Sequence, residues 1–457
     1  MGRRFTPLVL VLVMGCRACC LAAAEEGATA APLRAALGLG AGAGPVPSPA
    51  APGPVGLPAL WNLALANNPL LREAEAEVAA ARGRWVQAGK YPNPHFAYRE
   101  SVLGTTQDPA GDLTLEVTQE IVTGGKRRLD LAIAHRATDV AGVALEARQF
   151  EVLTRVRRAF ADWASWAYTL RVSRDLAAAL EEGVRVTRRQ VEEAKTRPRT
   201  DLIRLVAVLE EARLSEERAR ISLESAWRQV AVEVGVPDLP MPAVAPGLEA
   251  PPWDADMVLR RVLAVHTERR RAALEAERAR LEVDRAHAEA VPNVTLGSGY
   301  SANYPERQHG AIVAFETALP LWDRKQGRIQ ETEARLIQAQ AAEHSATLRL
   351  TQETTEALGR YQSARRRVER LTRDILPPLA ESLEAVRRGY QTAAAGISFA
   401  DVLLAEQTLG EARLRLAEAW RDLGRAVADL QGLMQLGVAE ELGPGACVDF
   451  LGPVSKN

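Results

Sequence analysis

Between residues 112 and 122 the chain alternates strictly. Leu113, Leu115, Val117 and Ile121 fall on one face, and Thr114, Glu116, Thr118 and Glu120 on the other. That two-residue period predicts a strand with one apolar side. The alternation returns over 310–321, with Val313, Phe315 and Leu319 opposed to Ala314, Glu316 and Ala318. Segments 93–102 and 293–302 predict weaker partner strands, with Tyr98, Tyr300 and Tyr304 near their ends and loops 103–111 and 303–310 joining each pair. After each pair the period changes. Val152, Val156, Ala159, Trp163, Ala167 and Leu170 recur at three- and four-residue steps, as do Leu350, Ala357, Tyr361, Ala364, Val368 and Leu371. These stripes predict two very long helices, the first over about 125–195, a rod of roughly 105 Å. Pro377 and Pro378 are expected to kink the second rod. Turns at 197–200 and 395–398 then send a shorter helix back. Moderate helices over 57–90 and 255–290 precede the strands, ended by Pro92 and Pro292.

The chain is therefore written twice. Segments starting at Leu63 and Leu263, at Tyr91 and Val291, and at Thr200 and Ala400 match at a constant spacing of 200 residues. At that spacing "QEIVTGGKRR" faces "LPLWDRKQGR". The first of these resembles a phosphate loop but lacks its leading glycine and the Ser or Thr after the lysine. Gly124 and Gly125, with Asp323 and Gly327 in the second half, are read instead as punctuation between strand and helix.

Four two-faced strands cannot close a barrel, and an open sheet edge in lipid leaves backbone groups without partners. Several copies must pool their strands, with Glu116, Glu120 and Glu316 facing a watery lumen. The long helices must likewise pack on neighbours. A ring with a strand barrel at one end and a tube of helices at the other is a conduit.

Composition sharpens this picture. The 457 residues carry 57 basic and 58 acidic side chains, net −1 without histidine, which argues against a nucleic-acid partner. Residues 1–24 read as an export signal: Arg3 and Arg4, an apolar stretch over 8–15, then Ala22, Ala23 and Ala24 for cleavage. A lipoprotein signal ending at Cys16 is the second reading. Cleavage after Ala24 leaves Cys447 alone, so no intrachain disulfide is expected. Residues 25–56 form an Ala/Gly/Pro-rich linker and 438–457 a tail. The two repeats take 57–240 and 254–437.

Nothing points to catalysis. No nucleophile elbow, dinucleotide fingerprint or His-acid-Ser set is present. The histidines at 95, 135, 266, 287, 309 and 344 show no zinc spacing. No cofactor and no tight metal site is expected. Tyr98, Tyr300 and Trp322 suit an interfacial girdle or barrel packing. The arginine trios at 269–271 and 365–367 read as solvated helix faces.

The duplicated helix–strand–strand–long helix–helix order, over nearly the whole mature chain, resembles the TolC-like outer-membrane efflux proteins. "GGKRR" and "LPLWDRKQGR" resemble most the heavy-metal, CzcC-like branch. The resemblance implies a mostly α fold with a small β part: a homotrimer whose four strands per chain make a twelve-stranded β-barrel in the outer membrane, continued by a periplasmic α-helical barrel. It implies a passive channel for heavy-metal cations, docked on a periplasmic adaptor and an inner-membrane resistance-nodulation-division pump. The gate and docking tip would comprise Arg199, Thr200 and Asp201, with Gly396, Ile397, Ser398, Phe399, Ala400 and Asp401. Leu404 stands where some members carry a second aspartate. Asp201 and Asp401 suit helix caps or first-turn charges equally. A periplasmic coiled-coil adaptor or scaffold is the alternative from another class, and a drug-efflux or type I secretion channel shares the fold.

Overall fold

The computed structural model describes residues 56–101, 111–192, 198–242, 251–303, 306–391 and 399–437. The expected signal, Cys16, the linker up to residue 55, the turn residues Gly396, Ile397 and Ser398, Tyr304 and the tail lie outside the described residues. The first half runs α1 (Leu57–Asn67), α2 (Pro69–Ala88), β1 (His95–Ser101), β2 (Asp112–Ile121), α3 (Lys126–Glu192) and α4 (Arg199–Val234). The second runs α5 (Ala255–Val265), α6 (Thr267–Glu289), β3 (Val294–Asn303), β4 (Gln308–Thr317), α7 (Gln326–Arg370), a π-helical turn (Leu371–Ile375), α8 (Leu376–Gln391) and α9 (Phe399–Leu433). The repeated order is the expected one. At 67 residues, α3 is about 100 Å long.

Two expected single helices are each broken in two. Asn68 is extended, and its side-chain oxygen accepts from the Leu70 N–H at 3.0 Å. Pro69 follows at the first helical position, where its missing N–H costs nothing. In the second half His266 does the same work without a proline, its Nδ1 accepting from the Glu268 N–H at 3.2 Å. Each break is clasped by the end of the same half's returning helix. Asn68 Nδ2 donates to the Glu233 carbonyl at 2.8 Å, beside Gly235 at φ 81°. The Thr267 N–H donates to Gln435 Oε1 at 3.1 Å, and Gln435 Nε2 donates to Thr267 Oγ1 at 2.6 Å. Asn68 and His266 stand 198 residues apart rather than the expected 200, so the true register of these helices is shifted by two.

The 198-residue spacing continues along the long helices: buried Val152, Ala159, Trp163 and Leu170 correspond to buried Leu350, Ala357, Tyr361 and Val368. Beyond the π turn, Val184 corresponds to Leu383, at 199. The returning helices correspond at 200, Leu209 to Leu409 and Ala212 to Ala412. A one-residue insertion is what a π turn absorbs. Here the Leu376 N–H donates to the Leu371 carbonyl, five residues back. Pro377 and Pro378, expected to interrupt the rod, sit just after this turn as the second and third residues of α8 and supply no N–H to the preceding turn.

Each half has its own core. Trp163 is buried against Phe160 and Trp227, with ring centroids 5.5 and 4.9 Å away. In the second half Tyr361 takes its place, 5.4 Å from Trp253. The halves meet where α9 packs on α3. Arg425 grips Asp162 with two hydrogen bonds of 2.6 and 2.8 Å, and Arg158 pairs with Asp429 at 2.5 Å. Buried Arg157 lies 4.9 Å over the Trp61 ring and donates to the Leu436 carbonyl at 2.8 Å. Two arginines of each trio are ion-paired at the surface: Arg270 to Glu146 and Arg271 to Glu275, Arg365 to Glu369 and Arg367 to Asp422.

The clasp at His266 makes the fold acid-sensitive. Burial holds this imidazole down at about 4, against an ordinary value of 6.5. Between those values the unfolded chain binds the extra proton, so native stability is complete above about pH 6.5 and falls as pH drops towards 4. The loss is on the order of 3 kcal/mol. Asparagine serves at the matching position 68, so His266→Asn should keep the cap and flatten the acid limb of a melting-temperature profile taken from pH 7 to 4.5. Parallel profiles for the two proteins would refute this role.

Candidate functional site

The four strands form one antiparallel sheet in the order β1-β2-β3-β4. Pairing β2 with β3 joins the two halves, and β1 and β4 are its edges. β2, β3 and β4 have ten residues each, the length that crosses a hydrocarbon layer when tilted. β4 begins at Gln308 and ends at Thr317, short of the expected 321. Pro320 lacks a ladder donor, and Thr317 Oγ1 turns to donate to the Asn293 carbonyl at 3.1 Å.

Register separates two faces. Phe96, Val117, Ser298 and Val313 lie in one row, and Tyr98, Leu115, Tyr300 and Ala311 in another. Most large side chains of this face are bare, Val313 88 % and Phe96 70 % exposed, while Leu113 and Leu115 are half-buried. The opposite face carries the rows Ala97, Glu116, Gly299, Ile312 and His95, Thr118, Gly297, Ala314, with Glu120 and Glu316 flanking Thr295. Apart from Ile312 it is polar or small. Glu116 lies across Gly297 and Gly299 and faces Arg99 at 3.6 Å. Tyr98 and Tyr300 flank Leu115 on the apolar face, while Trp322 is 85 % exposed beyond the opposite end of the sheet. No helix among the described residues is long and apolar enough to cross a membrane.

Between sheet and long helices lies the joint. Gly124 and Gly125 both adopt the left-handed conformation, φ 65° and 70°. A Cβ at Gly124 would meet the Ala288 carbonyl at 3.1 Å and Val291 Cβ at 3.2 Å. In the second half the left-handed residue is Lys325, φ 63°, and not Gly327, which lies inside α7. Asp323 makes this tolerable by accepting from the Lys325 N–H at 2.8 Å and from its ammonium at 2.7 Å. Both groups are held more firmly in their charged forms by that hydrogen bond.

Asn293 is the hub that sequence reading missed. Its Oδ1 accepts from Lys126 Nζ at 2.6 Å and from the Thr123 N–H at 3.3 Å, and its Nδ2 donates to Glu120 at 2.6 Å. The match between 91–94 and 293's neighbourhood carried the signal, but only its prolines were read. Arg127, over the Tyr91 ring at 3.8 Å and donating to the Gly89 carbonyl at 2.8 Å, ties α3 to the end of α2.

At the far end, Arg199 and Thr200 open α4 and are exposed. Phe399 opens α9. Asp201 and Asp401 both occupy first turns. Pro198 holds the cap position of α4, so Asp201 is a first-turn charge rather than a cap. Among the described residues no group of three or more His, Cys, Asp and Glu could hold a metal.

A family model described as outer membrane efflux protein matches residues 60–235 and 258–434, one match per repeat. The cobalt-zinc-cadmium resistance protein CzcC of Cupriavidus metallidurans is 24 % identical over 373 residues, 80 % of this chain and 86 % of that protein. The outer membrane protein VceC of Vibrio cholerae superposes with a TM-score of 0.69 at 19 % identity, covering 84 % of this chain and 96 % of that one. The open state of the MtrE outer membrane channel of Neisseria gonorrhoeae also superposes at 0.69, with 18 % identity and coverages of 84 and 90 %.

Proposed function

This chain belongs to the outer membrane efflux protein family, and on that footing we propose that it is the passive outer-membrane conduit of a tripartite efflux system, exporting divalent heavy-metal cations. The protein resides in the outer membrane and extends into the periplasm, and its family and fold are those of channels rather than enzymes. One observation carries the conduit reading: a ten-residue-deep sheet with a bare apolar face, a polar face, and two open edges. In lipid both edges must be paired. Joining β4 of one copy to β1 of the next satisfies them, and three copies give the twelve-stranded barrel implied by the family resemblance. Glu116, Glu120 and Glu316 then line the lumen, Tyr98, Tyr300 and Trp322 mark the two interfaces, and Cys16 remains a candidate for lipidation.

The cargo is inferred from the likeness to CzcC. A periplasmic adaptor and a resistance-nodulation-division pump would supply docking and energy at the tip formed by 199–201 and 396–401. Three Asp401 carboxylates drawn together there would repel one another and attract cations, favouring a shut, cation-sensitive gate. The full-length protein in a planar bilayer should conduct, with divalent cations applied from the helical end blocking it. Asp401→Ala should weaken that block about tenfold. A block equal to the parent's would remove Asp401 from the gate, and a protein that never conducts would remove the conduit itself. A deletion strain should accumulate cobalt, zinc or cadmium. Unchanged metal with raised drug sensitivity or lost protein secretion would reassign the cargo.

A further inference from the structure

The sheet puts its four connections to the helices on one level. Ile121 pairs with Val294 and Val294 with Thr317, while His95 lies opposite Thr118 near the end of β2. Residues 89–94, 122–125, 290–293 and 318–325 therefore leave the sheet side by side. This is where the bare apolar face ends. Beyond it Tyr91, Leu319, Leu321 and Trp322 are 69, 73, 60 and 85 % exposed. A tryptophan so bare, beside two bare leucines, suits a headgroup layer, where its N–H is wet and its ring is not.

The charges on this level do not balance. The acids in and beside the four connections are all engaged: Glu120 by Asn293, Asp130 and Glu289 by Arg285, Asp323 by Lys325, Glu331 by Arg328. Three cations are not. Among the described residues Lys90, Arg128 and Arg324 belong to no ion pair, and all three are exposed. Arg324 Nε donates only at 3.4 Å, to the Pro320 carbonyl of its own loop. The far end of the sheet has no such surplus. Among the described residues there, Glu100, Asp112 and Glu306 face Arg99 and Arg307, and Arg99 is already paired with Glu116.

We propose that the helix end of the sheet binds anionic phospholipid. Lys90, Arg128 and Arg324 hold the headgroup phosphates, while Leu319, Leu321 and Trp322 enter the acyl boundary beside them. The proposal rests on the sheet lying in the membrane as part of the barrel argued above. A zwitterionic lipid brings its own cation to the same place and gains less. Each Lys or Arg beside an anionic leaflet changes partition by roughly fivefold, so three unpaired ones give a preference for anionic lipid that outlasts gentle extraction. The opposite end of the sheet, without free cations, has no such preference. One end of the barrel thus selects its lipid by charge and the other does not.

Lipid retention tests this. The full-length protein is reconstituted in phosphatidylcholine vesicles holding a minor share of phosphatidylglycerol, extracted in mild detergent, and its retained lipid is counted. Phosphatidylglycerol should be enriched about fivefold or more over the vesicles. Lys90→Gln with Arg128→Gln and Arg324→Gln should return the ratio to that of the vesicles, and Arg99→Gln with Arg307→Gln should leave the enrichment intact. Arg324→Gln alone, in an exposed loop, should already lower it, which keeps the test open if the triple variant fails to assemble. Enrichment unchanged in the triple or the single variant, or lost equally in the Arg99/Arg307 variant, overturns the proposal. So does displacement of the lipid by free inorganic phosphate, which would make this a phosphate site. Conductance of the same vesicles separates the two levels. A parent that conducts without enrichment sinks the lipid site alone, and one that neither conducts nor retains lipid sinks the barrel beneath it. A triple variant with altered ion selectivity and unaltered lipid places the three cations in the lumen and also overturns the proposal.

Discussion

Gly299→Val is expected to abolish assembly in the outer membrane. Gly299 sits in the middle of β3, opposite Glu116 of β2. A Cβ there would stand 2.4 Å from the Leu115 carbonyl oxygen and 3.2 Å from Glu116 Cα. Both obstacles are backbone, so no rotamer change relieves them. Relief requires moving β2 away from β3, the pairing that joins the strand pairs of the two halves. Overpacking costs about 1–3 kcal/mol even where side chains can give. Each ladder bond lost adds about 1 kcal/mol. A total above roughly 4 kcal/mol is a large part of the stability of most domains. Gly310 is the control. It lies on the same polar face, in the row of Ser301, with nothing within 4 Å of its Cβ position. Gly310→Val should fractionate with the outer membrane as a heat-resistant oligomer, and Gly299→Val should not. Normal assembly of Gly299→Val would mean that the strands approach differently from the register given above.

Periodicity carried most of this fold into the sequence. The strand faces read from Leu113 to Glu120 are the faces of the sheet, and the stripe through Trp163 and Tyr361 is the core of each half. These features are legible because burial repeats at two or 3.6 residues wherever one side faces a core. What escaped was local. Asn68-Pro69 is a readable helix start, yet the apolar pattern runs across it undisturbed, and the eye follows the pattern. His266 gives no warning, since histidine is an uncommon cap. Pro377 and Pro378 announce a defect but not its kind. Only the step from 198 to 199 in the spacing of buried positions reveals an inserted residue, and that requires knowing which positions are buried. Gly327 drew attention from Lys325 for a similar reason: glycine is the usual left-handed residue, and the compensating Asp323 contact is invisible without coordinates.

The candidate site was legible in its faces and not in its joints. Alternation placed Glu116, Glu120 and Glu316 on one side of the sheet. It could not show that Glu120 is held by Asn293, because those residues are 173 apart and meet only when β2 and β3 pair. The duplication marks the turns beside residues 199–201 and 401 but says nothing of their chemistry, and a gate or docking role for them comes from the family resemblance alone.

Asn293→Leu should release the joint between barrel and helices. Leucine keeps the branched outline of asparagine, with methyl groups where the polar atoms stand, so the hydrogen bonds are lost. Lys126, 5 % exposed, loses its 2.6 Å acceptor; Glu120 loses its 2.6 Å donor; the Thr123 N–H loses its acceptor at 3.3 Å. Orphaned buried polar groups cost about 1–3 kcal/mol each, more for charges. The expected loss is about 3–5 kcal/mol, seen as a lower unfolding midpoint and as protease cleavage near 121–126. The sign of its pH dependence is specific. Burial, and then the charge of Arg285, already hold the Lys126 ammonium below its ordinary 10.5. Removing the Asn293 acceptor favours the neutral amine further. Above the folded-state pKa and up to about 10.5 the unfolded chain binds more protons than the native one, so native stability rises with pH across that window. The deficit of Asn293→Leu against the parent should therefore shrink as pH rises towards 10.5. A variant that also carries Lys126→Met has no proton to lose, and its deficit should be flat over the same range. If Asn293→Leu alone is flat, the destabilisation comes from the strand end and Thr123, and Lys126 has no part in holding the joint.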